Sequence, residues 1–340
     1  MSLNMPQSIA TEDDLFESAL ASLRIALENI PDRSVHVLID PALGDPLAGI
    51  WQERMPHLAV KVVDINGIAR ERSPYLLTLY DNLRYESVLN TSLRIAVQEY
   101  LGMHDREDGQ PRSVCAWLVE SEATPANQRD ASGLAYVLGK RASASNGSVR
   151  LPFRFWDPRV TPHLPELLGE ECWRNFQAAA NCFHWHTLDP HGKFIRIGTT
   201  PAASPQHPAQ AGWAFNADQW QALERLHWLN KLARLLPEWG YNEPVQRQHM
   251  DQILRRAMAY GLRKDADILR FAQCAVSIHP YFDSHPEIAR SLHAMQMNRD
   301  DLPDFSMLSH QWSDALIDNV RSGQWQQKFT EQPDTTIKSS

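Results

Sequence analysis

The sequence predicts a mixed α/β N-terminal lobe followed by an all-α helical C-terminal lobe, and three observations lead to that reading. Short apolar runs of strand length alternate with stretches of helical periodicity as far as residue 198. Residues 199–212 then turn to Pro, Ala, Ser and Gln, with Pro201, Pro205 and Pro208 and no apolar period, which marks a linker. Beyond it no strand pattern appears. The plan is an α/β lobe over 1–198, a linker over 199–212, a helical lobe over 213–329 and a flexible polar tail over 330–340.

In chain order, Thr11 with Glu12 to Asp14 offers a helix cap, and Phe16, Ala19, Leu20, Leu23 and Leu27 follow at helical spacing. Val35 to Ile39 is a strand-length apolar run that meets Asp40-Pro41, residues 43–55 have room for a helix, and Ala59 to Val63 is a second strand. Ser73 to Leu79 adds an extended piece, residues 82–101 a helix ended by Gly102, Ser113 to Val119 a buried strand, and residues 127–141 another helix. Leu164 to Ala180 is helical, with Trp173 and Phe176 inward. Phe183 to Thr187 and Lys193 to Ile197 pair as a hairpin through Asp189 to Gly192. After the linker, Asn216 caps a helix carrying Trp220, Leu223, Leu226, Leu229 and Leu232, and further helices follow to Val320, one of them expected to be capped by Ser284.

The stretch from Gly147 to Leu164 has the sharpest pattern. Val149, Leu151, Phe153 and Phe155 alternate with Arg150, Arg154 and Trp156, which predicts a strand with one face toward a core. Asp157-Pro158 ends it, because proline donates no ladder hydrogen bond and the residue before it is held out of the helical region. Arg154 and Arg159 flank Asp157 closely enough to share its carboxylate, so Arg154, Asp157, Pro158 and Arg159 read as an ionic brace at a strand-to-helix corner.

Charged residues are 22% of the chain and the formal net charge is -8, which argues against a nucleic-acid binder with an extended basic face. No run approaches a membrane span, and residues 1–12 lack a basic segment followed by an apolar one, so a cytoplasmic location is expected. Cys115, Cys172, Cys182 and Cys274 are scattered without paired spacing and read as small buried hydrophobes. Eleven tryptophans are many for a chain of this length and favour a binding protein, since tryptophan anchors interfaces as well as cores. No phosphate-binding glycine loop, dinucleotide fingerprint, nucleophile elbow, paired-His zinc helix or calcium loop is present, so no cofactor, metal or catalytic residue is assigned. Two weaker patterns remain. His184 and His186 share one face of a strand near His191 and Asp189 and could approach a zinc ion, but paired histidines on strand faces are commonly structural. Asp40, Asp64 and Asp157 stand near predicted strand ends, where acids either hold a divalent metal or satisfy turn backbone.

With these pieces in place, the sequence resembles a family of bacterial type VI secretion adaptor proteins, also called effector chaperones and first catalogued as a domain of unknown function. The resemblance rests on Val37-Leu-Ile-Asp-Pro-Ala42, on Ser73-Pro-Tyr-Leu76, on Trp117 and Ser121, and above all on Phe153-Arg-Phe-Trp-Asp-Pro-Arg159. In the helical half it rests on Tyr260-Gly-Leu262, Phe271 and Tyr281-Phe-Asp-Ser-His-Pro286. Pro41 departs from the family, where a small flexible residue is common. The resemblance implies a cytoplasmic, non-enzymatic protein that binds a secreted toxic effector, keeps it soluble and passes it to the spike protein of the secretion machine. Phe155, Trp156, Asp157, Arg159, Trp220 and Trp228 are the candidate partner contacts, although Trp220 and Trp228 equally fit the core, since a helix of this spacing must bury one face. The rival expectation is a divalent-metal-dependent enzyme with its site at the strand ends of the α/β lobe.

Overall fold

The computed structural model of the protein describes residues 11–28, 34–48, 58–79, 86–104, 112–120, 131–189, 192–198, 212–239, 247–297 and 304–326. Most of the expected linker, the tail at 330–340, most of the expected helix over 43–55, Ser121 and His191 lie outside the described residues. The chain divides into two compact units, Met1–Trp220 and Gln221–Ser340. The first is mixed α/β, and among the described residues of the second every element is helical.

The first unit is built on a six-stranded sheet of β1 (Val35–Ile39), β2 (Ala59–Val62), β3 (Tyr75–Leu79), β4 (Val114–Glu120), β7 (Cys182–Leu188) and β8 (Phe194–Ile197). Its order is β2-β3-β1-β4-β7-β8, and every neighbouring pair is antiparallel. β1, β3 and β4 are buried along their whole length, which explains their largely apolar sequences, and the polar residues they carry are bonded to one another, His36 to Thr78 at 3.0 Å and to Glu120 at 2.9 Å. One sheet face packs Val35, Val37, Leu77, Trp117 and Val119 against helices α1 (Glu12–Glu28) and α2 (Glu86–Tyr100). The start of α1 is a capping box: Asp14 donates its backbone N–H to Thr11 Oγ1 at 3.2 Å, and Thr11 donates to Asp14 Oδ2 at 3.0 Å.

Helix α3 (Ser132–Arg141) leads into a second, three-stranded sheet of β5 (Ser143–Ser145), β6 (Arg150–Pro152) and β9 (Trp213–Ala214), in the order β6-β5-β9. Here the strand expected from Val149 to Trp156 needs correction. It stops at Pro152, its three residues are exposed, and Val149 and Leu151 are nearly half exposed. The core residues of the stretch, Phe155 and Trp156, lie in the turns that follow. Helices α4 (Leu164–Leu168) and α5 (Glu170–Ala179) complete the unit ahead of the β7–β8 hairpin. The lobe boundary also moves. Trp213 and Phe215 are buried and β9 pairs in parallel with β5, so the segment after the linker belongs to the α/β unit, and the division falls after Trp220.

α6 (Ala217–Glu238) opens with the expected Asn216 cap, in which Gln219 donates its N–H to Asn216 Oδ1 and Asn216 donates to Gln219 Oε1, each at 2.9 Å. α7 (Arg247–Ala259), α8 (Asp265–Ser277), α9 (Pro286–Met297), α10 (Phe305–Ser309) and α11 (Asp314–Ser322) follow. Their core gathers Leu232, Ile253, Leu254, Phe271, Phe282, Leu292 and Phe305. Ser284 lies in a 3-10 turn instead of capping α9, which Pro286 opens at a position where the missing N–H costs nothing.

Candidate functional site

The residues that carry the sequence pattern converge on one ionic and aromatic cluster at the end of β1. Asp40 leaves the strand almost fully buried, and its Oδ1 accepts from the Ala42 N–H at 2.9 Å, closing the Asp-Pro turn. Its Oδ2 accepts from Arg154 Nε at 2.8 Å and from Trp156 Nε1 at 2.7 Å. Asp157 turns the other way and takes Arg159: Oδ1 accepts from the Arg159 backbone N–H and from Nε, both at 2.9 Å, and Oδ2 accepts from a terminal guanidinium nitrogen at 2.7 Å. The brace expected around Asp157 is therefore made with Arg159, while Arg154 pairs with Asp40. Burial alone would raise the Asp157 carboxyl, but the hydrogen bonds and charge of Arg159, with the charge of Arg154, hold it below the ordinary carboxylate range. Thr161 Oγ1 fastens the turn by donating to the carbonyls of Phe155 at 2.7 Å and Asp157 at 3.0 Å.

A third buried acid adjoins this knot. Glu99, at the end of α2, accepts from the backbone N–H groups of Ser113 and Val114 and from the Ser113 hydroxyl at the start of β4. Arg112 donates to the Glu99 carbonyl, and its guanidinium is pushed down to about 10, first by burial and then by the nearby Arg159 charge. Three arginines thus stand among three carboxylates, those of Asp40, Glu99 and Asp157. The carboxylates accept from arginines or from backbone groups, so the cluster is a self-compensated network with little anionic field left for a divalent cation.

Phe155 and Trp156 point away from solvent. Phe155 is fully buried, and its ring meets Trp156 at 5.1 Å, Trp213 at 5.3 Å and Phe176 at 5.4 Å between centroids. Trp173 and Trp185 join the same cluster, 5.7 Å apart. The indole N–H groups of Trp173, Trp185 and Trp213 and the side-chain amide of Gln177 are buried there without a hydrogen-bond partner. Phe155 and Trp156 are consequently corrected from partner contacts to core residues. Pro158 and Asp157 are buried too, and Arg159 keeps about 30% of its side chain exposed.

The other candidates are dispersed. Trp220 is half-buried against Phe215, with ring centroids 6.4 Å apart. Trp228 takes the core position, one of the two that its helical spacing allows: it is 8% exposed, packs within the helical core, and donates from Nε1 to Asp265 Oδ1 at 3.0 Å. In the same unit Arg256 donates from Nε to the buried Asp283 Oδ2 at 3.2 Å, and His285 meets Asn319 at 3.2 Å, so the Tyr281 to Pro286 motif also braces structure. His184 and His186 lie with ring centroids 5.5 Å apart, but Arg196 approaches His184 Nε2 at 3.3 Å and His186 stacks on Phe194. Among the described residues no group of three or more His, Cys, Asp or Glu side chains is placed to hold a metal ion. No helix among them is long and apolar enough to cross a membrane.

Asp64 stands apart from the ionic knot. It lies in the loop after β2, exposed, and with Lys61, Asn66, Ser132, Tyr136 and Lys140 it lines an open cavity of about 430 Å³ between β2 and α3. Sequence reasoning missed this site because its parts are ordinary surface residues far apart in the chain. The one available signal was Gly139 inside a helix, whose missing side chain lets α3 approach the Asp64 carbonyl.

Comparison of the chain with protein-family models, curated proteins and solved structures returns no match.

Proposed function

We propose that the chain is a cytoplasmic adaptor of a type VI secretion system, which binds a toxic effector, keeps it soluble and delivers it to the spike protein. The observation that carries this reading is the junction of two segments on which the family resemblance rests. Asp40, from Leu38-Ile-Asp-Pro41, accepts from both Arg154 and Trp156 of Phe153-Arg-Phe-Trp-Asp-Pro-Arg159. Residues joined so far apart in sequence make one structural device, as expected if both segments belong to a single signature. The rival metalloenzyme reading loses support at the same place, because Asp40 and Asp157 are occupied by arginines. Exposed apolar side chains available for a client include Tyr136, Leu151, Tyr281 and Met297.

Coexpression with the secreted effector encoded beside it is the direct test. An adaptor raises the amount of soluble effector and copurifies with it, then releases it to the spike protein. No association with any effector, together with magnesium or manganese binding by the purified chain in calorimetry, would overturn the proposal in favour of the enzyme.

A further inference from the structure

Among the described residues β2 is an edge strand of the six-stranded sheet, hydrogen-bonded to β3 on one side only. Ala59, Val60 and Lys61 are exposed. A row of unpaired N–H and C=O groups on such an edge is a template for another extended chain. The register tells what each added residue would meet. Lys61 lies opposite Leu76, which in turn lies opposite Leu38, so Lys61 occupies the sheet face that α3 approaches. Val60 lies opposite Leu77 and occupies the α1–α2 face. The cavity of about 430 Å³ opens beside Lys61 and is lined as well by Asp64, Lys140 and the exposed Tyr136, so two lysines outnumber one carboxylate there, with Lys140 Nζ 5.3 Å from the Tyr136 ring centroid. Its floor is held close, since a Cβ on Gly139 would come within 2.3 Å of the Asp64 carbonyl oxygen.

We infer that β2 and this cavity form a strand-addition site for an extended segment of a client protein, with an acidic residue directed at Lys61 and Lys140 and apolar residues on either side of it. Alternation in the added strand sends every second side chain to the cavity face and the others beside Val60. A residue directly across from Lys61 sits with its Cβ about 5 Å away, within reach of a carboxylate–ammonium pair. The same lysine argues against a second copy as the occupant, because pairing two β2 strands adds like charge to the edge. The inference rests on the adaptor reading for the identity of the partner as a client, whereas the edge and the cavity do not depend on it.

The experiment uses the full chain and two synthetic peptides, one alternating valine with glutamate and one alternating valine with lysine. The glutamate peptide should bind and slow amide hydrogen exchange across Ala59–Val62. Lys61→Glu and Lys140→Glu, both at exposed positions, should each weaken it on the order of tenfold, and the double variant should prefer the lysine peptide. Failure to bind, binding without protection of β2, or affinity indifferent to both reversals overturns the inference. If wild type and the double variant capture the coexpressed effector equally, the strand site falls and the adaptor reading stands. If no effector is captured while the glutamate peptide still protects β2, the adaptor reading falls and the strand site stands.

Discussion

Asp157 is almost fully buried and accepts three hydrogen bonds from Arg159, whose guanidinium remains about one-third exposed. Asp157→Ala should therefore cost about 2 kcal/mol in urea unfolding, between the value for a surface pair and that for a fully buried one. His186 carries a second prediction. Burial, reinforced by the neighbouring His184 and Arg196, pushes it down to about 3, whereas an unfolded histidine titrates near 6.5. Between those values the unfolded chain binds the proton and the folded chain does not, so stability present above about pH 6.5 is lost as pH falls toward 3. At pH 5 the loss should be about 2 kcal/mol relative to pH 7, and His186→Phe, which suits the stacking site on Phe194, should remove that increment from the unfolding curves. The pairing of Arg159 with Asp157 was legible because the partners are two residues apart. Asp40 with Arg154 and Trp156 was not, because nothing local reveals a contact across more than a hundred residues.

Among the elements, those with a strong period or a largely apolar run were legible: α1, α2, β1, β3 and β4 fall where the pattern puts them. The stretch after Gly147 misled because its alternation comes from two sources. Leu151 belongs to an exposed edge strand and Val149 lies just before it, whereas Phe155 and Trp156 are buried from a turn held by Thr161. Alternation reports which side chains are apolar and leaves open which surface hides them. The contact between α3 and the loop after β2 gives an element-scale prediction. Gly139→Ala places a methyl group 2.3 Å from the Asp64 carbonyl oxygen, against backbone that cannot swing aside. It should cost on the order of 1–3 kcal/mol by overpacking, despite the better helix propensity of alanine, and should speed amide exchange in β2. A stabilised variant would show that α3 can shift away from the sheet.

Across the whole molecule, the change from mixed α/β to all-helical structure was legible in the loss of period-two patterning, but its position was not. Trp213 and Phe215 follow a Pro-rich segment and precede a long helix, yet are spent on the first core, and only their burial places them there. The apolar core of α1, α2 and the sheet and the core of the helical unit share no residue, so each should open as its own cooperative unit. Phe271→Ala, which removes a fully buried ring from the helical core, should accelerate exchange in α7, α8 and α9 while leaving the β1 and β4 amides protected; uniform acceleration would show joint unfolding. The tryptophans offer an optical way to tell the units apart. Trp173 lies 5.7 Å from Trp185 and 6.4 Å from Trp213, the latter nearly parallel at 15°. Chromophores held so close share their excitation, and the Trp173–Trp185 pair, with its ring planes at 65°, should give a far-ultraviolet circular dichroism couplet that reports on the first unit. With no hydrogen-bond partner for their indole N–H groups, these rings should also emit at the blue end of the tryptophan range, giving the sheet-bearing unit a colour of its own in any unfolding experiment.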